Sequence, residues 1–171
     1  ITSVTDVPLL VDIDTGWGDF DAISNTIIEM GNANVAAVHI EDQIFDKRCG
    51  HRPNKQLVSI DEMQDRLKAA LDAKIDDSFF IMARTDALAS EGIEKAIERC
   101  GKYLDVGADG IFFEAAVSIE EYKEFKNNFS APLLANITEF GKTPLITQKE
   151  LSEVGVDMVL YPLTAFRAMS L

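Results

Sequence analysis

The chain has 171 residues, 47% of them hydrophobic, and a formal net charge of −13 from 29 acidic and 16 basic side chains. That composition supplies apolar material for one core and excludes a disordered or collagen-like chain, and no apolar run approaches the roughly 20 residues that span a bilayer. The acidic balance argues against a nucleic-acid partner, which needs a basic face, and without a signal-peptide pattern at the amino end a cytoplasmic protein is expected.

In chain order the first strand is expected over Leu9–Asp14 (LLVDID), followed by a helix over Phe20–Met30. A second strand, Ala36–Asp42 (AAVHIED), runs into a long charged loop and then a helix over Ser59–Ala73. Strand Phe79–Thr85 (FFIMART) precedes helix Glu91–Val106, and strand Gly110–Ala115 (GIFFEA) precedes helix Ser118–Phe129. Strand Pro132–Ile137 (PLLANI), helix Thr147–Val154 and strand Met158–Leu163 (MVLYPL) follow, and a last helix starts near TAFRAM. Ser59 with Glu62 and Thr147 with Glu150 fit the capping box, in which each side chain satisfies the other residue's exposed amide. Gly107 and Gly155 stand where a left-handed residue ends a helix.

The strands are nearly continuous in apolar residues, as in a parallel sheet covered by helices, and the βαβα rhythm repeats six times. Polar residues gather where each strand ends: Asp12 and Asp14, Glu41 and Asp42, Arg84 and Asp86, Glu114, Asn136 and Thr138, then Arg167. A doubly wound sheet would not bring six successive ends to one point, whereas a (β/α)8 (TIM) barrel builds its site from them at one mouth. The expected architecture is therefore a single α/β domain over residues 1–171. It corresponds to about six βα units of a TIM barrel, without the first two strands and the C-terminal segment.

Asp12 and Asp14 are two apart, so a strand presents both carboxylates on one face. Such like charges repel unless a cation sits between them, and oxygen ligands suit Mg²⁺ or Mn²⁺. An EF-hand is excluded because its sixth position would be Trp17 and its twelfth Ile23. Glu41 and Asp42 could add oxygen ligands. The loop that follows carries Asp46, Lys47, Arg48, His51, Arg52 and Lys55 around Cys49. Cationic neighbours favour thiol reactivity, Gly50 gives the backbone freedom to swing, and a loop of this length suits a mobile lid. Cys100 lies in a helical pattern and reads as a small core residue, and His39, in an apolar strand, as a satisfied core histidine. Arg84 and Arg167 are the candidate carboxylate clamps, since guanidinium grips carboxylate in a fork. No Walker, Rossmann or GxSxG pattern is present.

The segments VDIDTGWGD, HIEDQ, KRCGHRPNK, IMARTDALASEGIEKAIER, FFEA, LLANITEFGKTPL and VLYPLTAFRAM resemble the isocitrate lyase / phosphoenolpyruvate mutase superfamily, and within it the methylisocitrate lyases. The resemblance implies a carbon–carbon lyase that cleaves a small tricarboxylate, 2-methylisocitrate, into pyruvate and succinate in the methylcitrate cycle of propionate catabolism. It implies Mg²⁺, with Mn²⁺ as an alternative, held by Asp12, Asp14 and Glu41. It implies a general acid at Cys49 whose pKa is tuned by Lys47, Arg48 and His51. It further implies substrate contacts from Cys49, Gly50, Arg84, Glu114, Asn136, Thr138 and Arg167, and a homotetramer that exchanges C-terminal helices. Isocitrate lyases typically carry KKCGH where this chain has KRCGH. An isocitrate lyase giving glyoxylate, or a non-catalytic metal-binding fragment of the same barrel, are the competing readings.

Overall fold

β-Branched and aromatic residues alternate their side chains between the two faces of a strand, and here both faces are apolar along most of their length. In the computed structural model, which describes residues 1–52 and 54–170, they form six strands. These are β1 (Leu10–Asp12), β2 (Ala37–Glu41), β3 (Phe80–Thr85), β4 (Gly110–Phe113), β5 (Leu133–Asn136) and β6 (Met158–Leu160). The helices are α1 (Phe20–Asn32), α2 (Ile60–Asp72), α3 (Leu88–Glu91), α4 (Ile93–Val106), α5 (Ile119–Asn128), α6 (Gln148–Glu153) and α7 (Thr164–Met169). Spatial order follows chain order, β1 to β6, and every neighbouring pair is parallel. The sheet curls into a half-barrel, an α/β fold in which successive strand ends share one rim.

The outward side chains make the main core. Val38, Ile40, Ile81, Ile111, Phe113 and Leu133 meet Ile23 and Ile27 of α1, Met63 and Leu67 of α2, Tyr103 of α4 and Phe125 of α5. Each such large apolar side chain contributes about 1.5–3 kcal/mol by leaving water. Helix α4 shows how the sequence directs this, because Ala96, Arg99, Cys100 and Tyr103 recur at helical spacing and are its buried residues. Cys100 is the core residue that its pattern implies. The inward face carries a smaller apolar layer, with Met82, Phe112 and Leu134 buried against the half-buried Leu10, Phe80, Met158 and Leu160. That layer floors the polar rim above it.

Several boundaries differ from expectation for local reasons. Strands β1 and β6 stop at Asp12 and Leu160, and left-handed backbone then follows at Asp14 (φ 51°) and Leu163 (φ 63°). The expected helix over 91–106 is interrupted at Gly92 (φ 86°), which separates α3 from α4. Thr147 and Glu150 form a complete capping box. Ser59 accepts from the Glu62 amide at 3.1 Å, but the Glu62 carboxylate turns to Arg66 at 2.8 Å instead of closing the box. Gly107 and Gly155 are left-handed, as their positions imply. Among the described residues no helix is long and apolar enough to cross a membrane.

Candidate active site at the carboxyl ends of the strands

Side-chain alternation sorts the strand-end polar groups onto two faces. Glu41 pairs in register with Arg84, and Asp12 with His39, on the inward face. Glu114, whose backbone N–H donates to the Thr85 carbonyl (3.2 Å), joins them, and Asn136 ends β5. Left-handed backbone at Asp14, Trp17, Ala115, Phe140 and Leu163 clusters around these ends, and such conformations persist where surrounding structure enforces them.

Arg84 is the hub. Its Nε donates to Asp86 Oδ2 at 2.9 Å and lies 3.2 Å from Glu41 Oε2, and Nη2 lies 3.9 Å from Glu114 Oε2. The guanidinium stands 4.8 Å above the Phe112 ring. Burial works against its charge, but Asp86, Glu114 and Glu41 outweigh that and hold its pKa above the ordinary value. Lys55, buried at the far end of the charged loop, shares the same aspartate at 2.8 Å. Glu41 is fully buried, and burial pushes its carboxyl up to about 7 against the pull of Arg84.

Asp14, Lys47 and Glu41 form a second cluster. Lys47 pairs with Asp14 and lies 3.6 Å from Glu41 Oε1, while Trp17 Nε1 donates to Asp14 at 2.9 Å. Burial raises the Asp14 pKa, but the Lys47 and Trp17 hydrogen bonds outweigh it and leave the carboxyl below its usual range. Among the described residues no group of three or more His, Cys, Asp or Glu side chains is arranged as it stands to hold a metal ion. The donor chemistry nevertheless fits a hard cation. Asp12, Asp14 and Glu41 offer only carboxylate oxygens at one corner of the rim, and buried Glu41 Oε2, though 3.2 Å from Arg84 Nε, has no hydrogen-bond partner among the described residues.

The loop reaches across this rim and is tied at its base. Gln43 pairs with Leu57 in an isolated antiparallel bridge. Its side chain accepts from the Arg48 amide (3.0 Å) and donates to the Arg48 carbonyl (2.8 Å). Cys49 is exposed, whereas the next residue is buried. A Cβ at Gly50 would lie 2.5 and 2.6 Å from Cγ and Cδ of Glu114, so only glycine permits this approach. His51 then fixes the loop. Its Nδ1 accepts from the Lys142 amide at 3.0 Å, which leaves Nε2–H to face Glu114 Oε1 at 3.1 Å. Asn136 Nδ2 donates to Glu114 Oε2 at 3.1 Å, and its buried Oδ1 has no hydrogen-bond partner among the described residues.

A cleft of about 380 Å³ lies beneath the loop, lined by Lys47, Cys49, Gly50, His51, Arg84, Glu114, Asn136, Thr138 and Arg167 among others. Every residue expected to bind substrate or do chemistry therefore borders one cavity. Asp12, Asp14 and Glu41 do not line it, and Lys47 links Asp14 and Glu41 to it.

Two expectations require correction. Asp42 does not face this site, because alternation turns it opposite to Glu41. It lies fully buried on the outer face, accepting from Thr85 Oγ1 (2.7 Å), the Asp86 amide (2.9 Å) and Tyr103 OH (2.9 Å). Arg99 stands 3.7 Å away and pairs with Glu91 at 2.8 Å. His39 is buried but not satisfied, since among the described residues its Nδ1 has no hydrogen-bond partner and lies 3.6 Å from Asp12 Oδ1. Its ring packs edge-on against Phe112, and burial lowers its pKa to about 4, so it is neutral near pH 7. Roles for Gln43, Lys55, Asp86 and Glu139 were missed. Alternation could have shown that Asp86 lies on the Arg84 face; Gln43 acts within its own loop, five residues from Arg48, whereas Lys55 and Glu139 act through contacts distant in sequence.

With this geometry in view, comparison with known proteins identifies the lineage. The sequence matches the Phosphoenolpyruvate phosphomutase family over residues 1–170. It is 58% identical over 168 residues to a 2-methylisocitrate lyase of Shewanella oneidensis, covering 98% of this chain and 58% of that protein. The fold is similar to a crystal structure of 2,3-dimethylmalate lyase, described as a PEP mutase/isocitrate lyase superfamily member. That match has a TM-score of 0.93 and 34% identity, over 99% of this chain and 57% of that one. It is also similar to phosphonopyruvate hydrolase in complex with oxalate and Mg²⁺, with a TM-score of 0.83 and 28% identity over 98% and 58% of the two chains. The chain thus spans rather less than two thirds of the length of these relatives. On the match to its family model across nearly every residue, the chain belongs to the phosphoenolpyruvate phosphomutase family.

Proposed function

We propose that this chain is part of a carbon–carbon lyase that cleaves 2-methylisocitrate to pyruvate and succinate. The observation that carries the reading is the seating of Gly50 against Glu114, which holds Cys49 over a cleft bordered by Arg84 and Arg167. The similarity to 2-methylisocitrate lyases supports it.

In this reading Arg84, Arg167, Asn136 and Thr138 bind the carboxylates and oxygens of the substrate, and burial of Arg84 strengthens each such contact. Asp12, Asp14 and Glu41 would hold Mg²⁺, with Mn²⁺ as a substitute, and a cation there would polarise the α-hydroxy-carboxylate and carry developing charge. A general base takes the hydroxyl proton and the C2–C3 bond breaks, so that pyruvate forms and the bonding electron pair stays on the succinate fragment. The Cys49 thiol gives its proton to that carbon, and the thiolate left behind is met by the cations of the loop, Lys47 foremost. Glu114 and His51 hold the loop in place for the transfer. We also propose that the six βα units belong to one domain, an eight-stranded barrel, within a cytoplasmic homotetramer.

The test offers 2-methylisocitrate and isocitrate to the intact protein, with and without Mg²⁺, and follows pyruvate and glyoxylate. Mg²⁺-dependent pyruvate well ahead of glyoxylate is expected. Glyoxylate ahead would make it an isocitrate lyase, and cleavage of neither by folded protein would end the lyase reading.

A further inference from the structure

Arg167 projects from α7, a six-residue helix none of whose described residues is buried. No buried apolar side chain of α7 therefore anchors it, and an arginine side chain left alone would spread over many rotamers. One neighbour supplies the missing constraint. Glu139, just beyond the end of β5, pairs through Oε2 with Arg167 Nη1, while its Oε1 accepts from Thr164 Oγ1 at 2.8 Å. The same Nη1 reaches the Glu139 carbonyl at 3.4 Å, and Phe140 lies 5.3 Å beneath the guanidinium. Both carboxylate oxygens are thus spent on α7, one at its first residue and one at Arg167.

Within the Arg167 guanidinium only Nη1 makes hydrogen bonds to the described residues, so Nε and Nη2 have none. Arg167 and Glu139 both border the cleft. A carboxylate in an anion-binding cleft is otherwise a liability, and its placement on a single guanidinium nitrogen explains its presence. We propose that Glu139 is a positioning residue that clamps Arg167 and the start of α7, keeping the free edge of the guanidinium ready for a substrate carboxylate. The proposal rests on the lyase reading only in taking Arg167 as a carboxylate-binding residue.

The experiment measures binding of pyruvate and of succinate, offered separately, to intact wild-type protein and four variants. These are Arg167→Ala, Glu139→Ala, Glu139→Gln and the double alanine variant, with KM and kcat recorded for 2-methylisocitrate. Whichever product loses affinity in Arg167→Ala is expected to lose it about tenfold in Glu139→Ala, the scale of a charge-assisted hydrogen bond. The double variant should bind no worse than Arg167→Ala alone, because Glu139 acts only through Arg167. Glu139→Gln, which keeps an acceptor for the guanidinium, should recover part of the loss, and KM should move more than kcat. Unchanged affinity for both products in Arg167→Ala would remove Arg167 from the site and the proposal with it. A normal Arg167 effect beside unchanged or tighter binding in Glu139→Ala, or additive losses in the double variant, would overturn the clamp while leaving the lyase reading intact.

Discussion

At the scale of single residues the site depends on close approaches that tolerate no substitution. Gly50 is the sharpest case. Gly50→Ala would drive a methyl group into the Glu114 carboxylate, so the loop must lift away from the rim. Misplacing a reacting group by about 1 Å can cost about a hundredfold in rate. The expected outcome is a loss of that order in kcat/KM with an unchanged melting temperature, because the loop around Gly50 is largely exposed. Thermal unfolding and steady-state kinetics on the same preparation check this. Arg84→Lys is the matching test of the hub, since a lysine cannot reproduce the planar fork that engages Asp86. It is expected to raise KM at least about tenfold, read from substrate titration, because contacts to a buried charge are worth about 1.5–3 kcal/mol.

At the scale of elements, the buried polar network behind β2 and β3 fixes the strand ends relative to α4. Asp42 joins Thr85, the Asp86 backbone, Tyr103 and Arg99 in one unit. Asp42→Ala would leave these donors without an acceptor, and breaking a buried charged pair costs about 3–5 kcal/mol. Chemical denaturation should show a loss of that size, whereas a change under 1 kcal/mol would mean that water replaces the carboxylate. The same network shows what a sequence can and cannot convey. Asp12, Glu41, Arg84, Glu114 and Asn136 were readable as candidate site residues because poor strand formers at the ends of apolar runs need a reason to be there. Period-two spacing already implied that Asp42 faces away from Glu41. Its partners were not readable, because Tyr103 and Arg99 lie 61 and 57 residues further on, and local pattern carries no information about such pairs. The Lys55–Asp86 pair, 31 residues apart, was hidden in the same way.

At the scale of the whole molecule, six parallel strands in sequential order bring Cys49, His51, Arg84, Glu114 and Asn136 to one cleft although they span nearly 90 residues. The fold class was legible because continuous apolar strands alternating with amphipathic helices have few other solutions. Strand limits were less so, since the rim residues leave β geometry to make the site. The claim that joins these scales is that Cys49 protonates carbon in this cleft. Its most direct test is pyruvate release from 2-methylisocitrate by intact wild-type protein and by Cys49→Ser, both shown to be folded. Loss of a general acid is expected to slow cleavage about 10²–10⁴-fold in the variant. Cleavage by Cys49→Ser at the wild-type rate would contradict the account.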